Sequence, residues 1–216
     1  MEHLDSIWAM QRTAAMANLY LLVSIGLCPP TQELAQGLAD GSYFADYADC
    51  LAAFAPADLT YASAAYKERD VQAVQHKLGI EYTRLFISPK RELVPIYESV
   101  LVHPDEKVSM FINPTAMHCE QLYRKTGFAF EEKGKFPGDH VGIELRYAAC
   151  LLARRAMALS EGNEEDAAAA MAAYKDFAEQ HLARWMAAFS ERLFMHAQTP
   201  FYMLMAEGIG LLAAQL

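Results

Sequence analysis

Along most of this chain apolar residues recur at helical spacing, interrupted at intervals by Gly, Pro, Asn and Asp. That rhythm marks amphipathic helices; strands would show strict alternation bounded by turn residues, and no such run is found. The first helix is predicted over about residues 6–25. It is apolar around much of its circumference and so reads as a central, buried helix, stopped at Cys28-Pro29-Pro30. Thr31 is placed to cap a short helix to about residue 38, closed at Asp40-Gly41. A third helix is predicted over about 43–54, ending before Pro56, and Asp58 is placed to cap another. Val71, Val74, Leu78, Tyr82 and Leu85 fall on one stripe, which predicts a helix over roughly 70–86, stopped by Ser88-Pro89.

Asn113-Pro114 opens the next helix, with Asn as N-cap and Pro at the first helical position, and Gly127 ends it. Pro137-Gly138 breaks the chain ahead of a helix over about 140–160, where Asp139 is a favoured N-cap residue. A turn at Gly162-Asn163 leads to an Ala-rich helix over about 164–189, and Thr199-Pro200 opens the last, over about 201–214. The expectation is an all-α protein, a single globular helical domain over residues 1–216 with about eight to ten helices. No internal repeat, low-complexity linker or domain boundary is visible.

The stretch 87–105 breaks the pattern, with three prolines and no sustained period, and reads as a long ordered loop. Val94, Ile96, Tyr97, Val100, Leu101 and Val102 argue against disorder there, and long loops in compact domains are uncommon unless they serve a function. Such a loop can also act as a hinge for exchanging helices, so the expected state is mainly a monomer with some swapped dimer.

Composition narrows the function. The chain is 54% hydrophobic and 21% charged, which suits a packed globule, and its net charge of -9 repels phosphate backbones. Nucleic acid is therefore not an expected partner, whereas a basic peptide would be attracted. Cys28, Cys50, Cys119 and Cys150 lie far apart, without CxxC or the Cys/His spacing of a zinc site, and read as buried thiols rather than a disulfide framework. The apolar run from Leu19 to Leu27 is too short to span a bilayer and lacks the flanks of a secretory signal, so no integral membrane segment is expected and the cytoplasm is the expected compartment.

No phosphate-binding loop, dinucleotide fingerprint or GxSxG elbow is present, and no Glu-x-x-His pairs of a di-iron bundle. No catalytic residue, metal or cofactor is expected. The pair Asp139-His140 is nevertheless held at a rigid helix start, where a ligand could reach both, and His140 and Glu144 share a helix face. One reading is a capped helix; another is a small helical metal- or cofactor-dependent enzyme centred on His140 and Glu144, although further ligands at suitable spacing are missing.

Glu81-Tyr82-Thr83-Arg84-Leu85-Phe86, followed by Pro89 and Pro95-Ile96-Tyr97-Glu98-Ser99, resembles the TorD/DmsD family of redox-enzyme maturation chaperones. The likeness continues in order through Pro137, Asp139, His140, Glu144 and Leu145, then His181-Leu182-Ala183-Arg184-Trp185, and Pro200-Phe201-Tyr202. It runs from about Gly79 to Tyr202; Gly138 intervenes between Pro137 and Asp139, and the loop aromatic is Tyr97 rather than Trp. The resemblance implies a cytoplasmic all-helical chaperone and not an enzyme. Such proteins bind the twin-arginine signal peptide of a molybdopterin-containing oxidoreductase precursor and hold it during cofactor insertion, before export. Within the family the alternative is a nitrate-reductase-type chaperone serving a cytosolic subunit.

A twin-arginine leader presents guanidinium groups beside an apolar stretch, and its receptor needs reachable carboxylates next to an apolar groove. The expected peptide-binding residues are Tyr82, Phe86, Tyr97, Glu98, Ser99, Pro137, Asp139 and His140. Asp139 and Glu98 would supply the acids, and Tyr97, Tyr82 and Phe86 the apolar wall. An imidazole at His140 close to a bound guanidinium would make affinity depend on pH between about 5 and 8.

Overall fold

The computed structural model describes residues 2–54, 58–87, 93–103, 113–129 and 136–216, with backbone alone for 2–6. The chain winds through α1 (Glu2–Gly26), α2 (Gln32–Asp40), α3 (Ser42–Ala52), α4 (Thr60–Ala64) and α5 (Val71–Tyr82). It continues through α6 (Glu98–Val102), α7 (Pro114–Thr126), α8 (Val141–Ser160), α9 (Glu164–Phe177), α10 (Ala183–His196) and α11 (Pro200–Ala213). A π-helical turn at Thr83–Ile87 extends α5, and another at Ala178–Leu182 joins α9 to α10 in one unbroken rod. Among the described residues there is no strand, and a one-residue antiparallel bridge pairs Tyr97 with His140.

The helix ends follow local chemistry. Thr31 Oγ1 accepts the Leu34 amide at 3.2 Å, Asp70 Oδ1 that of Ala73 at 2.9 Å and Asn113 Oδ1 that of Ala116 at 2.7 Å. Each satisfies an amide that the first helical turn leaves unpaired, for about 1 kcal/mol. Gly41 and Gly127 close α2 and α7 at φ 88° and 69°, a region that a Cβ disfavours. Asp58 accepts the Thr60 amide ahead of α4. Ser88, Pro89 and Pro56, expected to be helix stops, lie outside the described residues.

α8 packs lengthwise on α1 and α9, α10 pairs with α11, and α2 bridges α3 and α5. The expectation that the first helix is central is corrected. Leu19, Tyr20 and Val23 are buried, but Trp8 is 71% exposed and Leu21 faces outward. The enclosed positions belong to α8 and α11, with Val141, Ile143, Leu145 and Leu151 on the first and Phe201, Tyr202, Leu204 and Ile209 on the second. Gly208 lets α11 approach α3, since a Cβ there would collide with the Tyr47 hydroxyl, which donates to Leu204 O at 3.2 Å.

Three boundaries differ from expectation. The rod that begins at Glu164 runs to His196 and not to 189, because the π turn shifts its apolar stripe without ending it. The last helix begins at Pro200 itself. The stretch 87–105 is not a loop throughout, for α6 lies within it; five residues are too few to display a period.

Candidate functional site

Two segments distant in sequence meet edge to edge. The Glu98 amide donates to Asp139 O at 2.9 Å and the Val141 amide to Ile96 O at 3.0 Å, which fastens the start of α6 to the start of α8. Asp139 does not cap its own helix. Its Oδ2 accepts the Ser99 amide at 3.1 Å, so it caps α6 across the junction. His140 is the N-cap of α8, with Nδ1 accepting the Gly142 amide at 3.1 Å. This corrects the assignment of Asp139 as cap of the 140–160 helix.

Asp139 and His140 are both 0% exposed, so in this structure no ligand reaches either from solvent, contrary to expectation. Burial raises the Asp139 pKa, opposed by its hydrogen bonds from Ser99. Burial, with help from the charge of Arg146, pushes His140 down to about 3. The ring is therefore neutral between pH 5 and 8, and the expected pH dependence through His140 is withdrawn. Its Nε2, the nitrogen left to carry the proton, has no hydrogen-bond partner. The rings of Tyr97 and Phe136 flank it, with centroids 5.5 and 4.9 Å away.

Behind this junction lies a denser cluster. His181, Arg184 and Trp185 share one helix face at i, i+3 and i+4. His181 Nδ1 lies 2.6 Å from Glu98 Oε2, Arg184 Nη1 donates to Glu98 Oε1 at 3.3 Å and Trp185 Nε1 donates to Glu144 Oε2 at 2.8 Å. Glu98 and Glu144 are both fully buried. Burial, and after it the charge of Glu98, raise the Glu144 pKa well above the usual range. Cys119 Sγ lies 3.5 Å from His181 Nδ1, and burial raises its thiol pKa. His118 Nδ1 stands 2.9 Å from His181 Nε2 on the outer side.

Of the residues expected to bind peptide, Tyr97 is half-buried, while Tyr82, Phe86, Glu98, Ser99, Pro137, Asp139 and His140 are buried. The junction unites Tyr97, Glu98, Ser99, Asp139 and His140. Tyr82 and Phe86 instead pack in the core, with Phe86 stacked on Phe189 and edge-on to Tyr202. Sequence reasoning missed Cys119 and the roles of His181 and Arg184. The helical spacing of His181, Arg184 and Trp185 was visible, but nothing in it pointed to Glu98, 83 positions away from His181.

An open groove of about 610 Å³ adjoins the junction. Ile25, Pro29 and Leu34 give it apolar walls, Phe136 and Arg146 link it to the His140 element, and the exposed carboxylates of Glu33 and Asp46 stand at its rim. A second hollow of about 520 Å³, with Leu21, Leu22 and Asp49, shares Asp46 with it.

The model of the family described as nitrate reductase delta subunit matches residues 44–191, which include the junction and the acid–histidine cluster. The chain belongs to this family, of the TorD/DmsD chaperone type. It is 30% identical over 127 residues to "Chaperone protein TorD" of Vibrio cholerae, covering 57% of this chain and 53% of that protein. It is 24% identical over 183 residues to "Perchlorate reductase assembly chaperone protein" of Dechloromonas aromatica, covering 82% and 77%. The chain spans about half the length of the TorD relatives it matches. Both relatives carry chaperone names, neither that of a catalyst. Among the described residues no helix is long and apolar enough to cross a membrane.

Proposed function

We propose that this family member is a cytoplasmic assembly chaperone, not an enzyme, for the precursor of a molybdenum-containing oxidoreductase. It binds the precursor's N-terminal twin-arginine leader and holds it while the cofactor is inserted. The observation that carries this reading is the acid-rimmed apolar groove beside the His140 element, bounded by Glu33, Asp46, Ile25, Leu34 and Phe136. Guanidinium groups suit exposed carboxylates at the rim, and the leader's apolar stretch suits the walls between them. Tyr97, the half-buried member of the expected set, is assigned to direct contact with the leader. Glu98, Ser99, Pro137, Asp139 and His140 shape the contact surface from beneath, and Tyr82 and Phe86 anchor it to the core. The working unit is one all-helical domain, mainly monomeric.

Calorimetry with a synthetic twin-arginine leader tests the reading. Saturable binding, weakened by salt, is the expected result. Tyr97→Ala should cost about 1–3 kcal/mol of affinity, the range for truncating an aromatic anchor, with the fold intact. Absence of binding at any attainable concentration would reject the proposal. A second reading is favoured by the family description and by the perchlorate reductase relative: an assembly chaperone for the N-terminus of a nitrate-reductase-type subunit. In that case a leader with both arginines replaced by glutamine binds as well as the original.

A further inference from the structure

The cluster behind the junction has the composition of a metal site, which no spacing along the chain announces. Glu98 from α6, Cys119 from α7 and His181 from the π turn place a carboxylate oxygen, Sγ and an imidazole nitrogen within 4.8 Å of one another. All three side chains are nine-tenths or more buried. We propose that Glu98, Cys119 and His181 bind one divalent transition-metal ion of the zinc type.

The donor set selects the ion. Thiolate with imidazole suits zinc and its neighbours, and their addition to a carboxylate disfavours magnesium and calcium, which take oxygen alone. The electrostatics agree. Glu98, Asp139 and Glu144 are fully buried, and among the described residues the guanidinium that reaches Glu98 is that of Arg184, whose side chain is 41% exposed. A dication balances the Glu98 carboxylate and a Cys119 thiolate.

A second observation points the same way. Glu144 Oε1 and Asp139 Oδ1 are buried without any hydrogen-bond partner, an arrangement that costs stability unless a cation or donor completes it. His118 supplies the outer support that a metal-bound imidazole ordinarily has, with its Nδ1 2.9 Å from His181 Nε2.

The proton balance is simple. In the arrangement described, hydrogen bonds join His181 Nδ1 to Glu98 Oε2 at 2.6 Å and to Cys119 Sγ at 3.5 Å. On binding, the ion replaces the proton between imidazole and carboxylate, Nε2 carries the imidazole proton toward His118, and Cys119 releases its thiol proton to solvent. Tetrahedral ligands about 2.0–2.3 Å from zinc lie more than about 3 Å apart, so the Glu98 carboxylate must turn slightly away from His181. Arg184, whose side chain is 41% exposed, and the half-buried His118 contact the ligands Glu98 and His181. Once bound, the ion would tie α6, α7 and the α9–α10 rod together.

The test uses the full chain, stripped with a chelator, dialysed and titrated with cobalt(II) and then with zinc(II). Expected are one ion per chain, a near-ultraviolet thiolate-to-cobalt charge-transfer band that zinc abolishes, and a raised Tm. Cys119→Ser should remove the band and weaken zinc binding by at least about tenfold. Cys150→Ser, away from the cluster, should keep both band and stoichiometry. Glu98→Gln, which keeps the shape but removes the charge and one accepting oxygen, should weaken binding, with circular dichroism showing that the chain stays folded. No band and no zinc in the folded, stripped protein, or an unchanged band in Cys119→Ser, would overturn the assignment.

Discussion

Asp139 and His140 work for different helices although they are neighbours. Asp139 holds the first free amide of α6, and His140 that of α8. Asp139→Asn keeps an acceptor for the Ser99 amide and removes a costly buried charge, so stability should hold or rise slightly. Asp139→Ala strands that amide and should cost about 1–3 kcal/mol in urea unfolding. If both variants lose stability equally, the acceptor role is wrong. The acid behaviour of His140 follows from its depressed pKa. The unfolded chain takes up a proton below about pH 6.5 that the folded chain refuses until about 3. Its contribution to stability is therefore complete above about 6.5 and declines as pH falls, by at most about 1.4 kcal/mol per unit. His140→Asn keeps an N-cap but does not titrate. The gap in unfolding free energy between wild type and this variant should shift by up to about 2 kcal/mol between pH 7 and 5, in the variant's favour. Asp139, whose pKa is raised, has the opposite sign, so the comparison must be of the two proteins at each pH.

At the scale of elements, the π turn at Ala178–Leu182 carries His181 and leads straight into Arg184 and Trp185, which fix Glu98 and Glu144. Because burial raises the Glu144 pKa, Glu144→Gln should be nearly neutral, while Trp185→Phe leaves a buried carboxyl oxygen bare and should cost about 1–3 kcal/mol. Thermal unfolding of the two variants measures the contrast; equal losses would mean that Glu144 is charged. The caps at Thr31 and Asn113 were legible, since each acts on an amide within its own first turn, whereas Asp139 caps across the junction instead. The α6 helix and the π turns were not, the one being too short for periodicity and the others being compatible with a continuous helical stripe. The site was half legible. Asp139 and His140 stood out by position, but Cys119 and His181 meet Glu98 only through tertiary packing. Burial of that set reverses the expectation drawn from a helix end, because helix starts at a junction face another segment rather than water.

For the whole molecule, the net charge of -9 matters where it is concentrated. Glu33, Asp46 and Asp49 line the two hollows, with Arg146 the one guanidinium among the described residues that line them. Replacing Glu33 and Asp46 together by Gln and Asn should weaken leader binding about 3–30-fold and flatten its salt dependence, since exposed charge pairs are each worth up to about 1 kcal/mol. Calorimetry at two ionic strengths reads both effects, and unchanged affinity would place the leader elsewhere. The same variants should leave metal uptake untouched, because neither residue belongs to the buried cluster.

The junction of α6 with α8 has a consequence in time. A few hydrogen bonds, those of the Glu98, Ser99 and Val141 amides, close it over the buried carboxylates. So small a clasp should open more often than the packed pair α1 and α8, whose amides are expected to exchange only near global unfolding. Native-state hydrogen exchange should therefore find the Glu98 and Ser99 amides yielding together, well before Leu19 or Leu151; protection equal to theirs would mean that no separate opening exists. Anything that must touch those inner acids, peptide or ion, then enters at the pace of the clasp. Its observed rate would rise with concentration only to a plateau, and that plateau is the protein's own opening frequency.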